Sequence, residues 1–134
     1  MANDHPQPSS SCGPGYVRID SEPASVPTGF MLEAGKRYSF KTTGKWEDSD
    51  KLAPCDADGY EKWYLYPFFF LRTYKTAPWF CLIGIVDGKQ FRMGAEGNFV
   101  AERSGELLCF ANDAPFKRRN NYGWICLKVE EGGD

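Results

Sequence analysis

Residues 79–86 (WFCLIGIV) form an unbroken apolar run, and Asp87-Gly88 follows at once before a second short segment at 90–93. A run this short, rich in β-formers and closed by an Asp-Gly pair, is the pattern of a strand entering a two-residue hairpin. Because every side chain in it is apolar, both of its faces must be covered, which predicts a central strand rather than an edge. Other segments repeat the theme. Residues 17–20 and 37–43 alternate apolar with polar positions, Tyr38 and Phe40 falling on one face and Lys41 and Thr43 on the other. Residues 99–102, 106–111 (ELLCFA) and 124–129 (WICLKV) are further short segments, each bounded by Gly, Asn or Asp. The Pro-containing piece 22–27 reads as a connector. No window shows a 3.6-residue apolar period closed by helix caps, and there is no internal repeat. The expected fold is therefore all-β, an antiparallel β-sandwich with little helix.

At 134 residues the chain has the length of one domain, and the 42% of hydrophobic residues can fill a single core. Residues 1–14 hold three Pro and three consecutive Ser, too little apolar area to offset the entropy of ordering, so they read as a flexible tail ahead of a sandwich domain at 15–131. A net charge of −2 gives no basic field that would gather nucleic acid. The apolar runs at 64–71 and 79–86 are too short to cross a bilayer, so no membrane insertion is expected. The first dozen residues lack the positive start and apolar centre of a secretory signal. The chain is then soluble and cytoplasmic, or exported by a route that needs no such signal, or trimmed.

Five cysteines show neither a CxxC pair nor a short Cys/His spacing, which argues against a zinc site. Cys81, Cys109 and Cys126 lie in apolar runs and read as small buried hydrophobes. Cys12 and Cys55 sit in polar loops, where a mutual disulfide is open to them. The single histidine, His5, falls in the tail, so a nucleophile–His–acid triad is not expected, and the chain reads as non-enzymatic. Asp48, Asp50, Asp56, Asp58 and Glu61 make the middle segment acidic. They read as a solvated loop, with a glycosidase-like carboxylate pair or a contribution from Asp56 and Asp58 to a metal shell as the other readings.

The loop 112–123 (NDAPFKRRNNYG) carries the most chemistry. Asp113, Asn120 and Asn121 supply one carboxylate and two amide oxygens, the hard donors that calcium takes alongside backbone carbonyls and water. The same residue types also form turns between strands, and composition leaves both readings open. Trp46, Trp63, Tyr64, Tyr66, Trp79 and Trp124 include candidates for stacking on a sugar ring, and Trp63, between Lys62 and Tyr64, is the one expected to be exposed.

The residues also resemble a family. Leu82-Ile83-Gly84 in an apolar strand, the short segment Phe91 to Gly94, Ser104-Gly105-Glu106-Leu107, and then ND, six residues, NN, one residue and Gly occur in the order found in the calcium-dependent, galactose-binding bacterial lectins of the PA-I type. Upstream, 38–46 (YSFKTTGKW) is similar to that family's strand ending in Gly-x-Trp. The resemblance covers about two-thirds of the chain and implies a galactose-binding-domain-like jelly roll that binds carbohydrate or glycoconjugate through calcium. It implies metal ligands at the side chains of Asp113, Asn120 and Asn121 and at the backbone carbonyls of Lys117 and Ser49. Asp113, Asn120 and Trp63 are the expected sugar-binding residues. By analogy with other lectins, a homo-oligomer would fit.

Lys117, Arg118 and Arg119 depart from the family's pattern, and no counterpart of its direct sugar contacts aligns in the loop after Trp46. Two other readings stand beside the lectin. One is a calcium-free sandwich using the basic run for an acidic partner; the other is an accessory domain of a carbohydrate-active enzyme.

Overall fold

In the computed structural model, residues 12–48, 55–59, 80–112 and 121–132 are described. The eight elements are all strands: β1 Val17–Asp20, β2 Val26–Leu32, β3 Arg37–Asp48, β4 Leu82–Val86, β5 Lys89–Arg92, β6 Glu96–Val100, β7 Gly105–Ala111 and β8 Asn121–Glu131. They form two four-stranded sheets, β1-β8-β3-β6 and β2-β7-β4-β5, in which every neighbouring pair is antiparallel. Position by position, the two orders put β1 with β2, β8 with β7, β3 with β4 and β6 with β5. Consecutive strands thus occupy matching places in the two sheets, which is the winding of a jelly roll.

The alternation seen in the sequence builds the interior. Ile19, Tyr38, Phe40, Trp46, Ile125 and Leu127 from the first sheet meet Leu32, Leu82, Val86, Leu107 and Cys109 from the second in one cluster. Each such side chain contributes roughly 1.5–3 kcal/mol on burial, so the filled space between the sheets is the main cohesive force. β4 lies between β7 and β5, as the apolar run requires. Its Leu82 and Val86 join the main core, while Ile83 packs with Cys81 and Phe110 in a second cluster on the other face. The strand starts at Leu82 rather than at residue 79, because Phe80 adopts a left-handed φ of 64° that a strand cannot continue.

β3 and β8 reach further than the sequence suggested, taking in residues 44–48 and 121–123, so that Asn121 lies in a strand and not in a loop, and three other features differ from the expectation. β2 occupies a stretch whose first residues read as a connector, and Pro27 lies inside it. Proline is tolerated because β2 is an edge strand. The register with β7 shifts between Pro27 and Met31, and side chains bridge the irregularity. Thr28 Oγ1 donates to the Leu107 carbonyl at 2.6 Å, and Gly29 N donates to Glu106 Oε2 at 2.9 Å.

Secondly, β6 runs over Glu96–Val100, earlier than the expected 99–102. Thirdly, Cys126 is not a thiol but is joined to Cys12, with Cα atoms 5.5 Å apart. In β8, Ile125 and Leu127 point into the core, so the alternation turns Cys126 to the outer face, where the N-terminal segment passes. The covalent anchor therefore falls at residue 12 of the stretch expected to be a tail. Cys81 and Cys109 are buried thiols, as expected. Among the described residues, no helix is long and apolar enough to cross a membrane.

Candidate functional site

The jelly-roll winding places four connections, β1–β2, β3–β4, β5–β6 and β7–β8, at the same end of the sandwich. That end carries the long β3–β4 segment and the loop 112–123. β3 and β8 pair along their whole shared length, and the last three pairs are Trp46 with Gly123, Glu47 with Tyr122 and Asp48 with Asn121. The chain leaving β3 after Asp48 and the chain entering β8 at Asn121 are therefore direct neighbours.

A core of backbone bonds ties the remaining stems to this pair. Trp46 and Cys55 exchange both backbone hydrogen bonds, at 3.0 and 2.9 Å. The indole Nε1–H of Trp46 donates to the Phe80 carbonyl at 3.0 Å, and the Phe80 ring meets the indole edge-on with centroids 6.4 Å apart. Phe80 N donates to the Asn112 carbonyl at 2.7 Å, and Asn112 N donates to the Cys81 carbonyl at 3.0 Å. Ser21 adds the β1–β2 connection, its backbone N and its Oγ both donating to the Gly123 carbonyl at 3.1 and 3.2 Å. Trp46 and Asn112 are both fully buried at this end of the sandwich.

The glycine that closes the sequence pattern NN-x-G has a clear physical basis. Gly123 adopts φ +83°, and a Cβ there would stand 3.2 Å from the Lys45 carbonyl oxygen and 3.3 Å from Trp46 Cα. A Cβ on Gly44, two residues before Trp46 on β3 at φ +89°, would stand 3.3 Å from the Trp124 carbonyl oxygen and 3.6 Å from Ile125 Cα. Two glycines on opposed strands thus let β3 and β8 approach just before their ends.

Asp113, Lys117, Asn120, Ser49 and Trp63 lie outside the described residues. Asn121 opens β8 opposite Asp48, one residue before the expected carbonyl of Ser49. Asp113 directly follows the buried Asn112. Asp56 and Asp58, weighed as catalytic or metal-binding, hold a turn: Asp56 Oδ1 accepts from Asp58 N at 2.9 Å, and Asp58 Oδ1 accepts from Ala95 N at 2.8 Å. The latter bond fastens the β3–β4 segment to the β5–β6 connection. Among the described residues, no three His, Cys, Asp or Glu side chains gather as a metal cluster.

Of the aromatic candidates inside the described residues, Trp46 is core and Trp124 is exposed over 39% of its surface. Residue order alone did not separate Trp124 from the others. The signal was its parity, since 125, 127 and 129 are the apolar, inward positions of the strand and 124 is not.

No protein-family model matches the sequence, and the search of curated proteins gives no match. Among solved structures, the chain is similar to the N-terminal domain of EclA, described as a PllA-like lectin. The TM-score is 0.67 at 16% identity, covering 87% of this chain and 95% of that one. The protein therefore shares the β-sandwich fold of that domain.

Proposed function

We propose that the protein is a non-enzymatic, calcium-dependent carbohydrate-binding module of the PA-I lectin type, taking galactose or a related sugar. The observation that carries this reading is the pairing of Asp48 with Asn121 at the ends of β3 and β8. It brings side by side the two loop stems next to which the family resemblance puts its metal ligands. The likeness in fold to a PllA-like lectin domain supports the same reading.

The carboxylate of Asp113, the amide oxygens of Asn120 and Asn121, and the backbone carbonyls of Lys117 and Ser49 would hold the ion. Such a set of neutral oxygens with one negative charge fits calcium, whereas zinc would favour nitrogen and sulfur donors. Bound calcium would offer open coordination positions to neighbouring sugar hydroxyls. The chain's own part is to present the loop: Trp46, Phe80 and Asn112 fix its base, and Asp113 and Asn120 orient the sugar. The Cys12–Cys126 bond favours an oxidising compartment and hence the exported alternative. Assembly into a homo-oligomer would strengthen binding to multivalent glycoconjugates.

Thermal unfolding with and without calcium tests the reading. A ligand held only by the native state at a hundredfold excess over Kd adds about 2.7 kcal/mol, so calcium should raise the melting temperature by several degrees and a chelator should reverse it. Asp113→Ala should fold, lose that response and lose galactose binding. A wild-type protein indifferent to both calcium and galactose overturns the proposal.

A further inference from the structure

β5 and β6 are the edge strands of the two sheets on the same side of the sandwich, and the gap between them holds a cleft of about 180 Å³. Val86, Phe91, Phe99 and Ala101 form its apolar walls. The Phe91 and Phe99 rings, 4.9 Å apart between centroids and tilted by 44°, pack on the core yet stay half-buried. Gly84 makes room for them. It is buried in the middle of β4, opposite Phe91 in the register, and a Cβ there would stand 2.7 Å from Phe91 Cζ. A glycine inside a central strand weakens it, and it marks a place where something approaches the backbone closely. Here the Phe91 ring lies against β4 where a side chain would otherwise stand.

The mouth of the cleft is charged, and unevenly. Lys89 shares the parity of Phe91 and so turns to this side of β5, whereas Arg92 alternates to the other face, beside Cys81. Arg103 lines the cleft from the β6–β7 connection, and Glu102 is the one carboxylate in the lining. The acidic neighbours hold both cations loosely. Lys89 Nζ is 3.5 Å from Glu102 Oε1, and Arg103 Nη1 is 4.0 Å from Asp87 Oδ2 while donating to the Asp87 carbonyl at 2.9 Å. The carboxylates are also the more exposed partners, Glu102 at 70% and Asp87 at 71% against 46% for Lys89 and 50% for Arg103. Exposed pairs of this kind are weak, so both cations are available to an anion that enters the cleft.

We propose that this cleft is a second binding site, for a small carboxylate carried on an apolar ring. An apolar space of about 150 Å³ is enough to hold benzene, so the volume suits one six-membered ring. The ring would lie against Phe91 and Phe99, and the carboxylate between Lys89 and Arg103, whose planar guanidinium matches two carboxylate oxygens. Lys89, Glu102 and Arg103 adjoin the β4–β5 and β6–β7 connections, at the end of the sandwich opposite the loop 112–123. The site is therefore separate from the proposed sugar loop and does not depend on that reading.

NMR titration of isotope-labelled protein with benzoate and with its neutral analogue benzyl alcohol, at low ionic strength, for wild type, Lys89→Gln and Lys89→Glu, tests it. In the wild type, benzoate should give saturable shifts gathered on β5, the end of β6 and the connection that follows, and benzyl alcohol should shift the same residues with lower affinity. Lys89→Gln should weaken benzoate about fivefold, the factor that one charge pair near 4 Å supplies in water, and leave benzyl alcohol unchanged. Lys89→Glu should weaken benzoate further. Retained benzyl alcohol shifts report that the cleft is intact in both variants. Benzoate shifts that do not saturate, or that spread over lysines across the surface, overturn the site. Benzyl alcohol bound as tightly as benzoate, or benzoate indifferent to Lys89→Glu, overturns the anionic ligand and the proposal with it. Added calcium or chelator should leave the benzoate titration unchanged, and a benzoate response that requires calcium would move the binding to the loop and overturn the cleft.

Discussion

The Trp46 indole donates its Nε1–H to the carbonyl of Phe80, 34 positions further along the chain, across 3.0 Å in the buried interior. Through that bond the end of β3 is joined to the residue that passes its own N–H to Asn112, the last stem before the loop 113–120. A core residue and the stem of a candidate binding loop are thus parts of one hydrogen-bonded unit. Trp46→Phe keeps an aromatic ring but removes the donor and leaves a void. We expect a loss of about 2–4 kcal/mol in denaturant unfolding. An unchanged midpoint would show that Trp46 does not organise this end.

The alternation of 37–43 was enough to read both faces of that part of β3 from the sequence, because period-two patterns survive wherever one face is buried, and 124–129 was legible as a strand although its inward parity at 125, 127 and 129 went unread. The apolar run in β4 was legible for the related reason that both of its faces are covered. β2 was not: Pro27 and the register shift hide the alternation, and what replaces the ladder is a Thr28 hydroxyl bonded to a strand 79 residues away in sequence. The Cys12–Cys126 pairing was equally hidden, since a separation of 114 residues leaves no local trace. For the site, the NN-x-G pattern could be read as chemistry. Its glycine proves to answer a close approach between backbones, a constraint only the register reveals.

Gly123→Ala tests that constraint. The new Cβ would meet the Lys45 carbonyl oxygen at 3.2 Å and Trp46 Cα at 3.3 Å, both backbone atoms that cannot turn aside, at φ +83°. The variant should lose about 1–3 kcal/mol of stability. It should also weaken calcium binding, by shifting the start of β8. Full stability with normal metal response would mean that the strands have room to separate.

Reduction of the Cys12–Cys126 bond releases a cross-link that spans nearly the whole chain. The loss of its constraint on the unfolded state is worth about 2–5 kcal/mol. Unfolding monitored with and without reductant should show a drop of that order, and Cys12→Ser should reproduce it. A reductant-insensitive midpoint would show that the cross-link adds nothing to the sandwich.

Burial pushes the Cys81 thiol up to about 11, with the Arg92 guanidinium opposing and the Asp58 carboxylate adding to the rise. Burial alone pushes the Cys109 thiol up further. The ordinary value is 9.0, and a raised folded value means that the native state favours the protonated form. Their contribution to stability is fully present below pH 9.0 and is lost as pH rises toward about 11 and beyond, where the unfolded chain gains from ionising and the folded one does not. Unfolding midpoints of Cys109→Ala should fall less steeply over that alkaline window than those of the wild type. In the native state at neutral pH, neither thiol should react with iodoacetamide. Rapid labelling of Cys81 without denaturant would contradict its burial in β4's outer cluster.

The last prediction concerns the three cations beside the proposed calcium ligands, Lys117, Arg118 and Arg119. A positive charge near a bound divalent cation raises its free energy. At surface dielectric and a separation of about 4 Å, a unit pair already interacts by ~4 kcal/mol, and salt screens the interaction further. Arg118→Ala and Arg119→Ala should therefore tighten calcium binding several-fold at low ionic strength, and the advantage should shrink as salt is added. Calcium titrations of the three proteins at two salt concentrations measure it. If the wild type ignores calcium and one of the arginine variants acquires a response, then that guanidinium pairs with Asp113 in the ion's place. The sandwich is in that case a calcium-free module whose basic loop receives an acidic partner. If neither variant differs from a calcium-responsive wild type at any salt concentration, the cations point away from the ion and the loop's charge serves some other contact.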